Sequence, residues 1–398
     1  MRKQEVVIVG GGFGGVKSAL ELAGHSSFQV TLISDKPFFE YHPLLYHTAT
    51  GGSKVVSSIP LGEIFSEKRI QILIDTATKL DRTKKSLTLK SGKKLDYDIL
   101  ILGLGNITNY FNIPGMSEYS YGIKSLKDAE KLKAHLHQQL TDTLKLDTDY
   151  VIVGGGPTGV ELAGALPDYL KYLMKQHGVK SRKIHIDLIE AAPRLMPRMP
   201  ESVSRVIYRR LIKLGIKIYL NEPVQAETAN TLMLDGKPIR THTVIWTAGI
   251  ANNPFFAENH FQLSPNGKVL VDRLMQAWPG IFVLGDNADT PYTGMAQTAL
   301  YDALFVTENL KRHADGKRPY AYKPRKPIYI TPAGKHWAVV VWGKLHIYGW
   351  LGWALRKVAD WIGYKDLEPW WKATDRLFAD NRREDNCLIC ATNVVAID

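Results

Sequence analysis

Short apolar runs that end in glycine are the most regular pattern along this chain. Residues 5–9 form such a run before Gly10, and residues 150–153 form another before Gly154. Runs of this length, bounded by turn residues and rich in β-branched side chains, predict strands that are buried on both faces. A helical pattern of apolar residues follows each turn. The chain is therefore predicted to contain two strand–turn–helix units of an α/β fold.

Both turns carry the pattern Gly-x-Gly-x-x-Gly, which is typical of dinucleotide-binding folds. In the first copy, Gly10 permits the tight turn, Gly12 lets the backbone approach a pyrophosphate, and Gly15 lets helix and strand pack closely. Free N–H groups at the start of the helix then face the phosphate charge. The predicted cofactor-binding residues are Gly10, Gly12, Phe13, Gly14 and Gly15 in the first copy, and Gly154, Gly156, Pro157, Thr158 and Gly159 in the second. Two such units predict an enzyme that handles two dinucleotides.

An acid is expected at the end of the strand after each glycine turn, where it would bind the ribose hydroxyls of an adenosine. Asp35 holds this position in the first unit, with a solvated turn residue as the alternative. Glu190 holds it in the second, with a helix-capping or surface acid as the alternative. A carboxylate there repels a 2′-phosphate, so Glu190 predicts a preference for NADH over NADPH. Arg194 lies close enough in sequence to weaken that preference.

Three later apolar runs also end in glycine or in an acid. Gly105 and Gly249 follow two of them and are expected to approach a nucleotide closely, although a plain tight turn is the local alternative. Asp286 follows the third, where it could hydrogen-bond a polyol such as the ribityl chain of a flavin. A helix is predicted from Ala296, and Gln297 lies in its first turn. Backbone amides at that helix start would face the isoalloxazine ring if the first unit holds FAD.

The C-terminal part differs in character, because seven of the nine tryptophans fall between Trp337 and Trp371. Residues 348–364 have apolar side chains at helical spacing on one side and charged side chains on the other. The apolar positions are Trp350, Leu351, Ala354, Leu355, Val358, Trp361 and Ile362, and the charged ones are Arg356, Lys357 and Asp360. A helix with one aromatic apolar face and nearby cations is typical of a bilayer interface. A buried interdomain or dimer helix is the alternative.

Length and charge set wider limits. The 398 residues are enough for two or three domains. We predict a discontinuous FAD-binding domain at 1–112 and 250–320, an NADH-binding domain at 113–249, and a C-terminal membrane-binding region with a polar tail at 321–398. The net charge of +12 favours an anionic surface, which we assign to lipid headgroups because no nucleic-acid motif accompanies it. No signal peptide or transmembrane run is expected, which predicts a peripheral protein on the cytoplasmic face of the membrane.

The only two cysteines, Cys387 and Cys390, lie near the C-terminus. They predict a reducing compartment and no disulfide framework. One Cys-x-x-Cys without histidines makes a poor zinc site, so no metal is expected. A redox role and two incidental thiols in a flexible tail both stay open. The aromatic loop at 38–47 carries no cysteine pair, which excludes a thiol relay beside the first nucleotide.

With these motifs in place, the sequence resembles the type II NADH dehydrogenases, single-subunit flavoproteins with two dinucleotide-binding domains. The matching stretches are residues 9–15, 30–33, 43–45, 153–162, 188–190, 246–249, 282–286 and 296–297. The resemblance implies an α/β fold with two Rossmann-like domains, FAD on the first glycine motif and NADH on the second. It also implies that Glu161 lies near the nicotinamide and quinone sites. Residues 296–301 resemble the family's quinone-site pattern Ala-Gln-x-Ala-x-Gln, with Tyr301 in place of the second glutamine.

The expected function is that of a non-proton-pumping NADH:quinone oxidoreductase of a respiratory chain. A hydride would pass from NADH to FAD, and two electrons would pass from the reduced flavin to a membrane quinone. Glu161 and Gln297 are the predicted catalytic residues, and Gln297 and Tyr301 are the predicted quinone contacts. The oligomeric state stays open, with a homodimer as one option. The alternatives are a sulfide:quinone oxidoreductase, which would need cysteines near the flavin, a soluble reductase of a small iron–sulfur protein, and a slow redox sensor.

Overall fold

The structure is a computed structural model that describes residues 2–141, 149–179 and 183–380. In chain order, its strands are β1 (Gln4–Val9), β2 (Phe28–Ser34), β3 (Phe38–Glu40), β4 (Ser58–Pro60), β5 (Gln71–Ile74), β6 (Ala77–Asp81), β7 (Ser86–Leu89), β8 (Lys94–Asp96), β9 (Ile99–Leu102), β10 (Asn106–Thr108), β11 (Asp149–Val153), β12 (His185–Glu190), β13 (Ile216–Leu220), β14 (Ala226–Thr228), β15 (Thr231–Met233), β16 (Pro238–Arg240), β17 (Thr243–Trp246), β18 (Ile250–Asn252), β19 (Gln276–Trp278), β20 (Ile281–Val283), β21 (Tyr329–Pro332), β22 (Ala338–Trp342) and β23 (Leu345–Gly349). Its α-helices are α1 (Phe13–Leu22), α2 (Leu45–Ala49), α3 (Leu61–Ile64), α4 (Met116–Tyr119), α5 (Leu126–Thr141), α6 (Pro157–Gln176), α7 (Glu201–Lys213), α8 (Phe255–Glu258), α9 (Ala296–Ala314), α10 (Trp350–Lys365) and α11 (Trp370–Ala379).

Two parallel sheets form the framework. The larger sheet has the strand order β19-β20-β9-β1-β2-β5, in which β19 runs antiparallel to β20. The smaller sheet has the order β13-β12-β11-β17, and its neighbouring strands are all parallel. Ile8, Ile101, Ile152 and Leu188 near the strand centres are fully buried, as expected for strands covered on both faces. The two glycine turns lie at the carboxyl ends of β1 and β11, the edge where open parallel sheets bind ligands.

Helices cover both sheets. On the larger sheet α1 packs against α9, and a Cβ on Gly14 of α1 would be in ordinary van der Waals contact with the carbonyl oxygen of Ala299, at 3.7 Å. On the smaller sheet α5 and α6 share one hydrophobic core with β11 and β12, which includes Leu136, Tyr150 and Leu166. Helix α7 joins the same core through Val203. The described residues also form small antiparallel sheets, which are β3-β4, β6-β7-β8, β10-β18, β14-β15-β16 and β21-β22-β23.

A two-stranded ladder links the two sheets. Strands β10 and β18 pair antiparallel, with Asn106 opposite Asn252 and Thr108 opposite Ile250. The chain leaves the larger sheet through β10 and returns to it through β18. The two segments that connect the sheets, here called the crossings, therefore run side by side. The predicted domain boundaries at 112/113 and 249/250 fall beside this ladder, and the domain division stays a prediction.

The C-terminal region is built onto both sheets. A Cβ on Gly164 of α6 would lie 2.3 Å from the nitrogen of Gly334, so the turn after β21 packs directly on that helix. A Cβ on Gly352 would lie equally close, 2.3 Å from the carbonyl oxygen of Ala338, which seats α10 on β22. Within the described ranges, no helix is long and apolar enough to cross a membrane. Cys387 and Cys390 lie outside the described residues.

Helix α10 has the predicted amphipathic pattern, and its charged side faces the protein. Arg356 and Asp360 are 7% and 4% exposed, whereas Trp350, Leu351 and Val358 are 65%, 54% and 53% exposed. A helix on the surface of a globular domain normally buries its apolar stripe and exposes its charges. The orientation of α10 is the reverse, so the apolar side chains of Trp350, Leu351, Val358 and Ile362 are left exposed by the described part of the chain.

Candidate active site between two glycine turns

The first glycine turn joins β1 to α1 and leaves one open position in its backbone. Gly10 has a left-handed φ of +121°, and a Cβ atom there would lie 2.1 Å from the carbonyl oxygen of Gly103. A Cβ on Gly15 would lie 1.9 Å from the carbonyl oxygen of Gly10. Gly12, by contrast, has no atom within 4 Å of its Cβ position and caps α1 without a side-chain hydrogen bond. Packing therefore requires two of these glycines, while the third faces open space beside free N–H groups.

The second glycine turn, between β11 and α6, repeats this geometry. Gly154 has a φ of +112°, and a Cβ on Gly159 would lie 1.8 Å from the carbonyl oxygen of Gly154. Gly156 has open space at its Cβ position and caps α6, with Pro157 as the first helical residue and Thr158 next to it, half-buried. An open backbone and uncapped N–H groups at a helix start suit a phosphate group. Both turns therefore fit the pyrophosphate of a dinucleotide.

The two predicted ribose ligands have different surroundings. Asp35 follows β2 and is exposed, and its carboxylate makes no hydrogen bond or ion pair with another described residue. Glu190 ends β12, where its Oε2 accepts a hydrogen bond from the Gly155 N–H at 2.6 Å and its Oε1 accepts one from the Ala192 N–H at 2.7 Å. Each carboxylate oxygen keeps a second lone pair. Glu190 can therefore brace the glycine turn and still accept a ribose hydroxyl.

The guanidinium of Arg194 is engaged on the loop that leads into α7. Its Nη1 donates to the carbonyl of Met199 at 2.6 Å and to the hydroxyl of Ser204 at 2.8 Å. Its Nη2 donates to the carbonyl of Pro197 at 2.5 Å. These three hydrogen bonds hold the cation in place, so this geometry gives little support to a weakened preference for NADH.

The ends of β9 and β20 meet beside the first glycine turn. Asn287 accepts a hydrogen bond from the Gly105 N–H at 2.9 Å and donates one to the Gly105 carbonyl at 2.8 Å. The next residue along the chain, Asn106, donates to Oδ2 of Asp286 at 2.8 Å. The nitrogen of Lys268 contacts the Asp286 carbonyl oxygen. The structure thus brings Gly105 and Asp286 together. Asn287, which the sequence analysis did not identify, holds these two segments side by side through its hydrogen bonds to Gly105.

A buried acid supports this junction from α9. Asp302 is fully buried, and its carboxylate accepts hydrogen bonds from the Gly285 N–H at 3.0 Å and from the hydroxyl of Tyr322 at 2.6 Å. Burial raises the pKa of Asp302 to about 6, although both hydrogen bonds oppose the shift. Because Gly285 precedes Asp286, Asp302 fixes the turn that presents the predicted flavin ligand. Sequence reasoning missed Asp302, since an acid inside a helix carries no motif of its own.

The predicted quinone contacts lie on the first turns of α9 and bind the segment that follows this helix. Helix α9 begins at Ala296 without a side-chain cap. Gln297 accepts a hydrogen bond from the Ile328 N–H at 2.8 Å. The hydroxyl of Tyr301 donates to the Lys323 carbonyl at 2.9 Å, and the guanidinium of Arg325 lies 4.5 Å from the centre of the Tyr301 ring. The catalytic and quinone-binding roles of Gln297 and Tyr301 stay predictions.

Gly249 lies where β17 approaches the linking ladder. A Cβ there would lie 2.2 Å from the carbonyl oxygen of Asn109 and 2.7 Å from the ring of Phe111. The indole N–H of Trp246 donates to the same Asn109 carbonyl at 2.9 Å. Glycine at 249 is therefore required by packing between the crossings, and the predicted contact with a nucleotide stays a prediction.

Glu161 is a buried acid in the second turn of α6. Its side chain is 11% exposed, and its Oε1 lies 3.4 Å from Nη1 of Arg356. Burial raises the pKa of Glu161 to about 7, and the positive charge of Arg356 opposes that shift. The half-buried Tyr46 also lies close, since desolvation and, to a smaller extent, the Glu161 charge raise the pKa of its hydroxyl. Glu161 can therefore bind and release a proton near neutral pH.

Arg356 connects four parts of the chain. Besides Glu161, it donates to Asp360 Oδ2 at 2.8 Å, to the carbonyl of Ile330 at 3.2 Å and to the carbonyl of Pro43 at 2.8 Å. Its own neighbour Asp360 accepts a hydrogen bond from the Tyr41 hydroxyl at 3.2 Å. A buried charge of this kind is stable only while its partners are in place. The charged side of α10 therefore forms one wall of the candidate site.

A cavity of about 90 Å³ lies directly beside Glu161. Its lining residues are His42, Leu45, Tyr46, Ile123, Lys124, Thr158 and Glu161. A larger groove of about 730 Å³ runs along residues 23–31 and 67–71. This groove lies at the amino end of β2, away from the glycine turns, so the small cavity is the one relevant to the candidate site.

Two parallel sheets, each with a glycine turn open to a phosphate, define a class of protein that handles two dinucleotides. The chain belongs to the pyridine nucleotide-disulphide oxidoreductase family, whose family model matches residues 4–303. The type II NADH:quinone oxidoreductase Ndh of Mycobacterium tuberculosis is 28% identical over 399 residues, covering 92% of this chain and 86% of the relative. The type II NADH:quinone oxidoreductase of Staphylococcus saprophyticus is 25% identical over 383 residues, covering 90% of this chain and 94% of the relative.

Solved structures share the fold. NDH2 from Plasmodium falciparum in complex with NADH has a TM-score of 0.84 at 19% identity, covering 95% of this chain and 97% of the other. The sulfide:quinone oxidoreductase of Aquifex aeolicus has a TM-score of 0.78 at 20% identity, covering 94% and 92%. At such identities the likeness concerns the fold alone. Together the comparisons confirm the predicted resemblance, the α/β fold class and the assignment as an oxidoreductase.

Proposed function

We propose that this chain is a type II NADH:quinone oxidoreductase that carries FAD, takes a hydride from NADH and passes two electrons to a membrane quinone. Relatives with this name match about nine-tenths of the chain, and the family and these relatives bear out the predicted pair of FAD and NADH. The observation that carries the proposal is the position of Glu161. This acid follows the second glycine turn and contacts Arg356 of α10, whose outer face is apolar.

The two turns divide the cofactors between them. The turn at Gly10–Gly15 would hold the FAD pyrophosphate, with Asp35 on the adenosine ribose and Asp286 on the ribityl chain. FAD, when bound, supplies the redox chemistry of the reaction. The turn at Gly154–Gly159 would hold NADH, with Glu190 on its ribose. Free N–H groups at the start of α9, beside Ala296, would orient the flavin ring.

Glu161 would hold the proton that the reaction takes from water. NADH delivers two electrons with one proton as a hydride, whereas a quinone needs two electrons and two protons to become a quinol. A buried carboxyl whose pKa lies near 7 is suited to accept that second proton and to give it up again. Gln297 and Tyr301, on helix α9, stay the proposed quinone contacts.

The outward apolar face would bind the membrane surface. On α11, Trp370, Trp371 and Phe378 are exposed as well, and they extend the face formed by α10. Trp342 and Leu345, at the turn between β22 and β23, are exposed next to it in sequence. Tryptophan is favoured at the level of lipid headgroups, and the net charge of +12 suits anionic lipid. The protein would thus be peripheral, on the cytoplasmic face of the membrane, and the homodimer stays a prediction.

The proposal is tested by comparing electron donors with one short-chain benzoquinone as the acceptor. Purified protein should be yellow and should oxidise NADH rapidly, with NADPH slower. Sulfide should be a poor donor, because a sulfide:quinone oxidoreductase would need cysteines near the flavin and the only cysteines are at 387 and 390. Rapid turnover with sulfide, or a purified protein without flavin, would overturn the assignment.

A further inference from the structure

We propose that His42 and the small cavity behind it form the route by which a solvent proton reaches the buried carboxylate of Glu161. The inference rests on the proposed function, because the reduction of a quinone by NADH takes up one proton from water. Neither the glycine turns nor the outward face of α10 provides such a route.

The two residues share one cavity and differ in their exposure to solvent. Both line the space of about 90 Å³ described above. The His42 side chain is 42% exposed, whereas that of Glu161 is 11% exposed. His42 therefore meets solvent, and Glu161 lies inside. A water molecule occupies about 30 Å³ of liquid volume, so the cavity has room for a short chain of waters. Thr158, Lys124 and Tyr46 supply the polar partners that such waters need.

A buried acid, Glu40, lies beside His42. Oε2 of Glu40 lies 3.6 Å from Nε2 of His42 and 2.6 Å from the nitrogen of Lys36. Oε1 of Glu40 accepts a hydrogen bond from the Leu126 N–H at 2.8 Å. The nearby His42 and hydrogen bonds from Lys36 and Leu126 lower the pKa of Glu40 to about 2, against the effect of its burial. Glu40 therefore stays anionic at neutral pH beside the imidazole ring.

The other titratable groups at the cavity are less suited to carry a proton. The charged groups that face it are Lys124 at the wall, Glu40 and Lys36 behind His42, and Arg356 and Asp360 behind Glu161. Burial raises the pKa of Tyr46 well above its ordinary value, so its hydroxyl stays protonated at neutral pH. His42 is the exposed member of this lining, and its imidazole has two ring nitrogens that can accept and donate a proton. His42 is therefore the member of the lining suited to relay protons between solvent and the cavity.

The proton balance is simple. The His42 imidazole takes a proton from solvent at one ring nitrogen and passes one from the other, through the cavity waters, to the Glu161 carboxylate. Protonated Glu161 gives this proton to an oxygen of the reduced quinone, while the hydride from NADH supplies the other proton equivalent. No electrons pass through His42. The route should matter most above about pH 7, where Glu161 is mostly ionised and must be recharged in each turnover.

The test is the variant His42→Gln, with His313→Gln as the matched control on the exposed end of α9. Flavin content and the single-turnover bleaching of the flavin by NADH report whether the protein folds and whether the proposed function holds. Turnover with a short-chain benzoquinone is then measured from about pH 6 to about pH 9. We expect His42→Gln to lose about tenfold or more in kcat at alkaline pH, and imidazole buffer to restore much of it. The control should follow the wild type in both buffers.

The outcomes test the proton route through His42 separately from the proposed function on which it rests. Superimposable pH profiles for His42→Gln and the wild type would overturn the route while leaving the function intact. A loss that imidazole does not restore, with flavin bleaching by NADH unchanged, would assign His42 a structural role. Wild-type flavin that NADH does not bleach would overturn the proposed function itself. If His42→Gln does not bind flavin, His42→Asn undergoes the same measurements, because its shorter amide can still meet Glu40.

Discussion

Nη1 of Arg356 lies 3.4 Å from Oε1 of Glu161, although the two residues are 195 positions apart in sequence. The first belongs to α10 and the second to α6, the helix that follows the second glycine turn. Burial raises the pKa of Glu161 and the nearby guanidinium lowers it, so the acid titrates near neutral pH because of a residue on the C-terminal helix. The candidate site is thus completed by the region that turns its apolar face outward.

Loss of this cation should destabilise the fold strongly. Arg356→Gln leaves Asp360 and two backbone carbonyls without their donor, which should lower the free energy of unfolding by about 3 kcal/mol or more. Arg205, in an exposed ion pair with Glu201, offers the control, and Arg205→Gln should change stability by about 0.5 kcal/mol at most. Urea denaturation of both variants measures the difference. Equal midpoints would show that the buried network adds little to stability.

The choice between nucleotides should depend on Glu190. Glu190→Ala removes the charge that repels a 2′-phosphate, so the ratio of kcat/KM for NADH over NADPH should fall by about tenfold, or about 1.4 kcal/mol. It also removes the acceptor of the Gly155 N–H, and affinity for both nucleotides should decrease. Glu190→Gln separates the two effects, because it keeps an oxygen near that N–H without the charge. An unchanged ratio in Glu190→Ala would remove this acid from the ribose site.

Binding to lipid should depend on the outer face of α10. Val358→Glu places a charge on a side chain that is already exposed, so the fold should keep its stability while binding to anionic vesicles falls by about tenfold. Leu304→Glu, at an exposed leucine of α9, is the control and should bind as the wild type does. Vesicle sedimentation and thermal melting measure the two quantities. Unaltered vesicle binding by Val358→Glu would indicate that this face meets a protein instead.

Stability should fall with rising pH through a second buried acid. Glu227 is 6% exposed, its Oε2 has no hydrogen-bond partner among the described residues, and burial raises its pKa to about 8. The folded protein therefore keeps this proton at pH values where the unfolded chain releases it. The free energy of unfolding should decrease by at most about 1.4 kcal/mol per pH unit between the ordinary pKa of a glutamate and about 8.

The matched variants for this effect are Glu227→Gln and Glu201→Gln. The first keeps the shape of the buried group without the titration, so its stability should change less steeply over the same pH range. Glu201 is exposed, and its substitution should leave the slope as in the wild type. Urea denaturation at several pH values gives the slopes. Identical slopes for Glu227→Gln and the wild type would exclude Glu227 as their source.

Much of the framework is predictable because its cause is local. A strand buried on both faces needs a continuous apolar run, and a turn in which a Cβ would meet a carbonyl oxygen needs glycine, so residues 5–15 and 150–159 carry their structure in a short window. The contacts of Asn287 and Asp302 are different. Asn287 bonds to Gly105, 182 positions away, and nothing near either residue marks the pair. Only the adjacency of β9 and β20 in the sheet brings them together.

Helix α10 also shows what can and cannot be predicted from sequence. Its apolar and charged stripes follow from the spacing of residues, and the sequence analysis predicts both correctly. The helical spacing of residues, however, fixes only the angle between the two stripes. It does not determine which stripe faces the interior of the protein. That choice depends on the carbonyls of Pro43 and Ile330, which accept hydrogen bonds from Arg356 and lie 313 and 26 positions away from it in sequence.

The inward direction of the charged stripe has a practical consequence for anyone who wishes to prepare this protein free of lipid. Cutting the chain before α10 would remove the outer apolar face together with the counter-charge of Glu161, and the shortened protein would differ in its active site as well as in its solubility. The proposed membrane attachment and the proposed catalysis therefore cannot be separated by truncation. They can be separated by substitutions on the outside of α10, where each side chain can change without disturbing the wall behind it.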